Sequence, residues 1–439
     1  MRPAFLAFLA AGLLLLPFSA RAQEEEVPIT GAFTGGLEGE PVTVNIAPSS
    51  RMLDPVAIPE AVCRCSPAHC KAVHDTLNRD LTLSAFFTVL DKRSYLADPS
   101  SEDLKVSKWD DWFNIGAKYL VKASLEGSGD TCTLTFRLYD VSLRKYMEVK
   151  DSDPGPVPAA KLVPATHAFV NALIEAITGV PGIFGNFLVY SARTGKGSRA
   201  VYQIGVDGRD KAVMAGGGTL NLFPSLANGS LVYTSFRTGS PEVYVNGKRV
   251  TRGGKQYRGA RLSPDGGLLA ASADNGSGQS ELYLLSKDGK LIKELTDTPW
   301  DEVSPVWSYD GSMVAFVSNR TGGPQVYVMD RDGGSVRRVT MAGGYNSTPD
   351  FGPDNRIVFA GMDEARSDIF VTDLEGNITR ITQDQGNNKD PAFSPDGRYI
   401  AFVSNRDGGW KIYLSTSDGR YQFPITDTTG GYSTLFWVR

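Results

Sequence analysis

Two stretches decide the reading of this chain. Pro305-Val306-Trp307-Ser308-Tyr309-Asp310-Gly311 leads into Val314-Ala315-Phe316-Val317-Ser318-Asn319-Arg320. The same order returns at Pro391-Ala392-Phe393-Ser394-Pro395-Asp396-Gly397 and Ile400-Ala401-Phe402-Val403-Ser404-Asn405-Arg406. Each is an apolar strand, a tight Asp-Gly turn and a second apolar strand, which reads as a β-hairpin. Outward from these, an apolar triplet occurs six times, ending at Tyr190, Tyr233, Ala270, Phe316, Phe359 and Phe402. Six aromatic strands follow, around Tyr202, Tyr244, Tyr283, Tyr327, Phe370 and Tyr413, most running into Asp-Gly-type turns at Gly208, Gly247, Gly289, Gly333, Gly376 and Gly419. Residues 183–439 divide into copies of about 43 residues, the length of a four-stranded propeller blade. The innermost-strand signal is out of step. Ser433-Thr434-Leu435-Phe436-Trp437 stands after the last copy, whereas the first begins at Phe187 without it. The C-terminal strand is therefore expected to complete the first blade, hiding edges that would otherwise template aggregation. Trp307, Phe351, Phe393 and Trp437 read as blade core.

The preceding half has another character. Residues 42–180 read as a small α/β domain: a strand at 42–46, a helix from His69 to Phe87 with Val73, Leu77, Leu81 and Ala85 on one stripe, and a short helix at 109–115. A hairpin spans 118–125 and 132–139, and an apolar helix over 162–177 is closed by Gly179 and Pro181. The fold expected is a two-domain α+β chain, a small N-terminal α/β domain followed by an all-β six-bladed propeller over 183–439. Residues 1–22 read as a signal peptide, with Arg2, an apolar run from Ala4 to Phe18, and Ala20-Arg21-Ala22 as the cleavage site. The mature chain is then exported and soluble, begins with a flexible segment over 23–41, and is expected to be a monomer. Across 439 residues the net charge is −4, so no basic field favours nucleic acid or an anionic membrane.

Four cysteines, Cys63, Cys65, Cys70 and Cys132, are candidates for disulfides in an oxidising compartment. His69 and His74 beside them give a superficially zinc-like string. Disulfides are the expectation, with three pairings open and no metal or cofactor expected. The connections that enter each innermost strand are the longest and most varied, and they deliver Tyr257, Arg258, Trp300, Glu302, Tyr345, Asn346, Asn388, Lys389 and Tyr432 to the channel mouth. Variable loops on a rigid scaffold are where recognition sits, and Trp, Tyr and Arg dominate interface energetics. Catalysis finds little support. No G-x-S-x-G string occurs and no His lies beyond His167. The alternative is an exported propeller enzyme, or a glycan- or peptide-binding protein, with its site in the channel.

An exported α/β domain followed by P-x-[WF]-S-P-D-G repeats resembles the TolB family. In the propeller the likeness rests on Ser263–Gly266, Pro305–Gly311 and Pro391–Gly397, with Ser-Asn-Arg at Ser318 and Ser404. In the N-terminal half it rests on Asp110-Asp111-Trp112 through Gly116-Ala117-Lys118-Tyr119-Leu120-Val121, on Phe136-Arg137-Leu138-Tyr139-Asp140-Val141 and on Ile177-Thr178-Gly179. The resemblance implies a non-catalytic periplasmic adaptor of the Tol–Pal envelope system, supporting outer-membrane integrity and constriction during cell division. It implies a Pal-type lipoprotein bound over the propeller mouth, and a TolA-type inner-membrane protein bound by the N-terminal segment through Val27, Ile29 and Phe33. The chain departs from the family pattern at its three clustered cysteines and at Ala260-Arg261-Leu262, which lacks the usual Pro and aromatic.

Overall fold

Six four-stranded antiparallel sheets surround a central axis, one for each copy of the repeat. The computed structural model describes residues 52–96, 103–106, 108–274, 276, 278–363 and 366–439. The expected signal peptide, the 23–41 segment with Val27, Ile29 and Phe33, and the strand at 42–46 lie outside the described residues. Strands are lettered a to d from the axis outward. Blades 2 to 6 are sequential, their a strands being Asn221–Ala227, Gln256–Leu262, Glu302–Trp307, Tyr345–Phe351 and Asn388–Phe393. Blade 1 takes its a strand, Tyr432–Trp437, from the C-terminal end and pairs it with strand b, Phe187–Gly195, in the register Tyr432↔Ala192 and Trp437↔Leu188. The circular closure expected from the out-of-step strand is present.

Packing within blades follows the sequence signals. The aromatic residues of strands b and c face each other across the pair: Tyr190–Tyr202, Tyr233–Tyr244, Phe316–Tyr327, Phe359–Phe370 and Phe402–Tyr413 stack with ring centroids between 5.5 and 5.8 Å. Cross-strand aromatic pairs of this kind are a unit of sheet stability. In blade 3 Ala271 replaces one ring, and the Lys255 ammonium sits 4.0 Å over Tyr283 instead. Trp307, Phe351, Phe393 and Trp437 are buried, as their place in the repeat predicts. Between blades the c–d turn glycine meets the backbone of the preceding blade. A Cβ on Gly208 would lie 1.8 Å from the Ile425 carbonyl oxygen, and one on Gly289 would lie 2.1 Å from that of Val250. Both residues also have positive φ, so glycine is required twice over.

The N-terminal domain is one mixed sheet carrying two long helices. Its strands are β1 (Asp54–Ala57), β2 (Val62–Arg64), β3 (Phe87–Val89), β4 (Tyr119–Ser128), β5 (Thr131–Asp140), β6 (Lys145–Met147) and β7 (Gly155–Pro158), in the order β3-β1-β4-β5-β6, with β2 on β4 and β7 on β5. Helix α1 is Pro67–Leu83, α2 Trp109–Asn114 and α3 Leu162–Thr178. The sequence pattern carries α1 to Phe87, but the helix stops sooner. The Ser84 and Ala85 amides turn back to the Asp80 and Thr82 carbonyls, Ala85 takes φ 55°, and the chain leaves as β3, parallel to β1. Gly179, in the left-handed region at φ 81°, caps α3 and turns the chain toward the propeller. Cys63 is joined to Cys70 and Cys65 to Cys132, tying β2 to α1 and the loop after β2 to β5.

This domain sits on the face of the ring that carries the a–b and c–d turns, at blades 1 and 6. Tyr399 Oη donates to the Ser84 carbonyl at 2.7 Å, Arg79 donates to the Ile425 carbonyl at 3.0 Å and to that of Asp207, and Arg398 donates to that of Pro181. One apolar cluster runs unbroken from Val73 and Phe169 to Tyr399 and Trp437. Inside the junction, His167 Nδ1 lies 2.6 Å from Asp80 Oδ2 and His167 Nε2 lies 3.9 Å from Asp207 Oδ2. Arg209 approaches Asp207 at 3.7 Å and donates to Thr76 Oγ1 at 2.6 Å. Among the described residues, Asp80 Oδ1 and Asp207 Oδ2 are buried without a hydrogen-bond partner.

Two outcomes follow. Trp437→Ala removes a fully buried ring from the closing strand and should lower stability by about 3–5 kcal/mol in denaturant titration; a cost below 1 kcal/mol would contradict closure as the stabilising step. The second concerns pH. Burial works against the His167 imidazolium, but Asp80, Asp207 and Asp210 overcome it and hold its pKa above the usual 6.5. Burial pushes the Asp80 carboxyl up to about 6, with His167 and Arg209 opposing and Asp207 adding to it. Both groups thus bind protons more tightly in the docked form. The His167 contribution is complete below pH 6.5 and is lost as pH rises through the raised value, while the Asp80 penalty sets in as pH rises from the ordinary carboxylate range through about 6. The melting temperature of the domain junction should fall from pH 6 to pH 8.5, and His167→Asn should flatten that fall. An identical slope in the variant would refute the assignment.

Candidate functional site

With the a–b and c–d turns partly covered by the N-terminal domain, the opposite face is formed by the b–c turns and the d–a connections. Each d–a connection enters its a strand through the same irregularity. The register shifts by one bulge in all six a strands, and the residues there are Phe223, Gly259, Ser304, Thr348, Asp390 and Thr434, all at positive φ. All six line the central channel, a cavity of about 90 Å³. A bulge leaves one residue outside the ladder, and non-glycine residues at positive φ cost about 1–3 kcal/mol each. In four blades the next residue is proline (Pro224, Pro305, Pro349, Pro391), which has no N–H to strand inside the channel.

Farther along the axis the channel is crossed by charge. Arg439 donates from Nη2 to Asp350 Oδ1 and to the Phe351 carbonyl, each at 2.8 Å, and its guanidinium lies 4.0 Å over Tyr309. Arg261 is enclosed beside them, donating to the Pro224 carbonyl at 2.5 Å and lying over Phe436. Burial lowers its pKa to about 10, with Asp350 opposing. Asp350 also accepts from the Phe393 amide at 3.0 Å. This carboxylate is committed to holding blades together. The three histidines stand on α1 and α3, outside the propeller.

The nine residues assigned from sequence to the mouth separate into two groups. Tyr257, Glu302, Asn346, Asn388 and Tyr432 occupy one repeat position, two residues before the bulge, and all are buried, as is Asn221 in blade 2. They face between strands and hold the loops, so they do not offer surface. Glu302 accepts from Thr298 Oγ1 and Ser318 Oγ at 3.0 Å and from Arg320 Nη2 at 2.9 Å. Burial raises its pKa against the pull of Arg320. Asn388 accepts from Arg406 at 3.1 Å and donates to Asp368 at 3.0 Å, and Asn346 donates to Gln325 at 2.7 Å and to the Ala342 carbonyl at 2.8 Å. Tyr432 packs edge-on against Tyr190 and donates to the Thr428 carbonyl, while Tyr257 lies in the core between blades 2 and 3.

The other four reach the surface. Trp300 is 42% exposed and Tyr345 41% exposed. Arg258 is exposed beside Asp274 at 3.5 Å and also lines the channel, and Lys389 lies 4.5 Å over the Trp410 ring. Two residues not singled out from the sequence belong with them. Met362, at the end of the blade 5 b strand, is exposed opposite Tyr345, and Met341, in the connection into blade 5, is exposed beside the Gly376 turn. Arg258, Tyr345 and Lys389 each adjoin a buried member of the set, and the two-residue alternation of a strand turns them outward, whereas Trp300 stands in the connection before its strand.

Comparisons with known proteins agree with this architecture. The family model described as the TolB beta propeller domain matches residues 174–364 and 344–435, and that described as the TolB amino-terminal domain matches residues 42–147. A Tol-Pal system protein TolB of Desulfosudis oleivorans is 31% identical over 230 residues, 51% of this chain and 52% of the relative. One of Anaeromyxobacter dehalogenans is 34% identical over 244 residues, 53% of this chain and 54% of the relative. The chain spans about half the length of the curated relatives it matches. The crystal structure of TolB from Acinetobacter baumannii shares the fold, with a TM-score of 0.72 at 22% identity over 90% of this chain and 98% of that one.

The loop-holding role of the buried set has its own test. Glu302→Ala leaves Arg320 without its carboxylate and should cost about 3 kcal/mol in chemical denaturation. Glu302→Gln, which keeps an acceptor, should cost less. Equal stability of all three proteins would return Glu302 to the list of surface contacts.

Proposed function

The chain belongs to the TolB family, and from that premise we propose that it is a non-catalytic periplasmic adaptor of the Tol–Pal system. In this reading the d–a face of the propeller docks a Pal-type lipoprotein, and the segment over 23–41, with Val27, Ile29 and Phe33, engages a TolA-type inner-membrane protein. The linkage between the two supports outer-membrane integrity and constriction at division.

One observation carries the reading. The N-terminal domain is packed on the turn face at blades 1 and 6, and the opposite face carries Trp300, Tyr345 and Met362 exposed on the connections into the a strands and on the strand beside them. Large side chains standing out from loops that are themselves pinned by buried Glu302, Asn346 and Asn388 are pre-organised, so little ordering cost attends binding. The channel supports the same reading, because Asp350 is spent on Arg439.

Calorimetry with the soluble domain of a Pal-type lipoprotein tests it. Trp300→Ala and Tyr345→Ala should each weaken binding about tenfold or more, the loss of roughly 1.4 kcal/mol or above that marks a central anchor. Unaltered affinity in both variants would refute the mouth as the docking surface.

A further inference from the structure

Blade 5 differs from its neighbours at the rim. In blade 4 the b strand ends Ser318-Asn319-Arg320, and Arg320 folds back over the aromatic pair, 5.8 Å from the Phe316 centroid and 4.9 Å from that of Tyr327. Its guanidinium also donates to Ser318 Oγ at 3.0 Å and to Glu302 at 2.9 Å. Blade 6 repeats the arrangement. Arg406 lies 5.3 Å from Phe402 and 4.5 Å from Tyr413, and donates to Ser404 Oγ at 3.0 Å and Asn388 Oδ1 at 3.1 Å. Each rim therefore has a built guanidinium seat: two stacked rings, and an acceptor from the second-last residue before the bulge.

Blade 5 has the seat without its occupant. The equivalent residues are Gly361-Met362-Asp363, so the serine and the arginine are both replaced. The rings remain, as Phe359 stacked on Phe370 at 5.6 Å. The acceptor also remains. Asn346 stands where Glu302 and Asn388 stand and is nearly fully buried. Its Nδ2 is engaged by Gln325 and Ala342, whereas its Oδ1 has no donor among the described residues. The outcome is a shallow slot of about 20 Å³, open to solvent and walled by Gly343, Asn346, Phe359, Gly361, Met362 and Phe370. Arg380 reaches Phe370 from strand d, at 5.7 Å, but it is held by Asp368 and by the Thr382 carbonyl. Its counterpart in blade 4, Arg338, takes the same strand position and likewise donates to the carbonyl two residues on, while Arg320 lies over the rings.

We propose that the blade 5 slot receives an arginine side chain of a docked protein partner, its guanidinium stacking on Phe359 and Phe370 and donating to Asn346 Oδ1. The chemistry favours arginine over lysine, because a planar guanidinium both stacks on a ring and donates along a fixed fork, as Arg320 and Arg406 do within the chain. In the sequence Asp363 takes the place of their arginine. The proposal rests on the reading that this face is the docking face, and its test has a separate readout.

N-acetyl-arginine amide, N-acetyl-lysine amide and N-acetyl-citrulline amide are titrated into the full chain, and the backbone amides of Gly343, Asn346 and Gly361 are followed by NMR. The arginine probe should shift these amides with an affinity at least fivefold above the other two. Asp363→Arg restores the residue found in the sister blades, and it should abolish the arginine response while the melting temperature is kept or raised. Asp363→Asn should retain the arginine preference. Equal responses to the three probes in the unaltered protein, which needs no variant to fold, would overturn the proposal. So would an unchanged arginine response in a folded Asp363→Arg protein. Loss of lipoprotein affinity in Trp300→Ala, together with a silent slot, would leave the mouth reading standing and the slot refuted.

Discussion

Pairing of Tyr432–Trp437 with Phe187–Gly195 is the contact on which the propeller depends. Every other sheet is local, folding from one stretch of consecutive residues. Blade 1 alone draws strands from both ends of the repeat region, and it is also the blade on which the N-terminal domain rests. Trp437, Tyr432 and Leu435 belong to the same apolar cluster as helix α3 and the strands of blade 6. Closure therefore converts six marginal sheets into one body whose edges are only the short outer d strands and, in the same step, completes the seat of the second domain.

That arrangement decides which surface is left for partners. Contacts from Arg79, Tyr399 and Arg398, and the His167 cluster, consume the turn face at blades 1 and 6. On the other face the connections are longer, and their shapes are fixed from beneath by buried polar side chains that bond to backbone and to neighbouring strands. A stiff rim bearing aromatic and thioether groups results. The channel bulges continue this logic, since proline after a left-handed residue lets a strand deviate without exposing an unpaired donor.

Much of this was legible in the sequence, because it is written in local terms. Triplet, aromatic strand and Asp-Gly turn recur with a constant spacing, and the misplaced Ser433–Trp437 signal forces a ring. Helix α1 was over-extended because apolar spacing cannot see that Phe87 is needed by β1. The mouth residues were half legible. Loop position located them, but Glu302, Asn346, Asn388, Tyr257 and Tyr432 begin strands, and strand alternation turns them inward. Disulfide partners were beyond reach, since Cys132 meets Cys65 only through sheet register. The vacancy in blade 5 was present as an interrupted Ser-Asn-Arg, yet it carries meaning only once Arg320 and Arg406 are seen lying on their rings.

The long reach of closure bears on how such a chain is made. Arg199, on strand c of blade 1, donates to the Gly431 carbonyl across 232 residues of sequence. A polypeptide emerging from its amino end must carry the inner border of its first blade bare until nearly everything else has been synthesised. Pairings that distant form slowly and leave sticky intermediates on the way. Assembly then locks only once the final strand arrives.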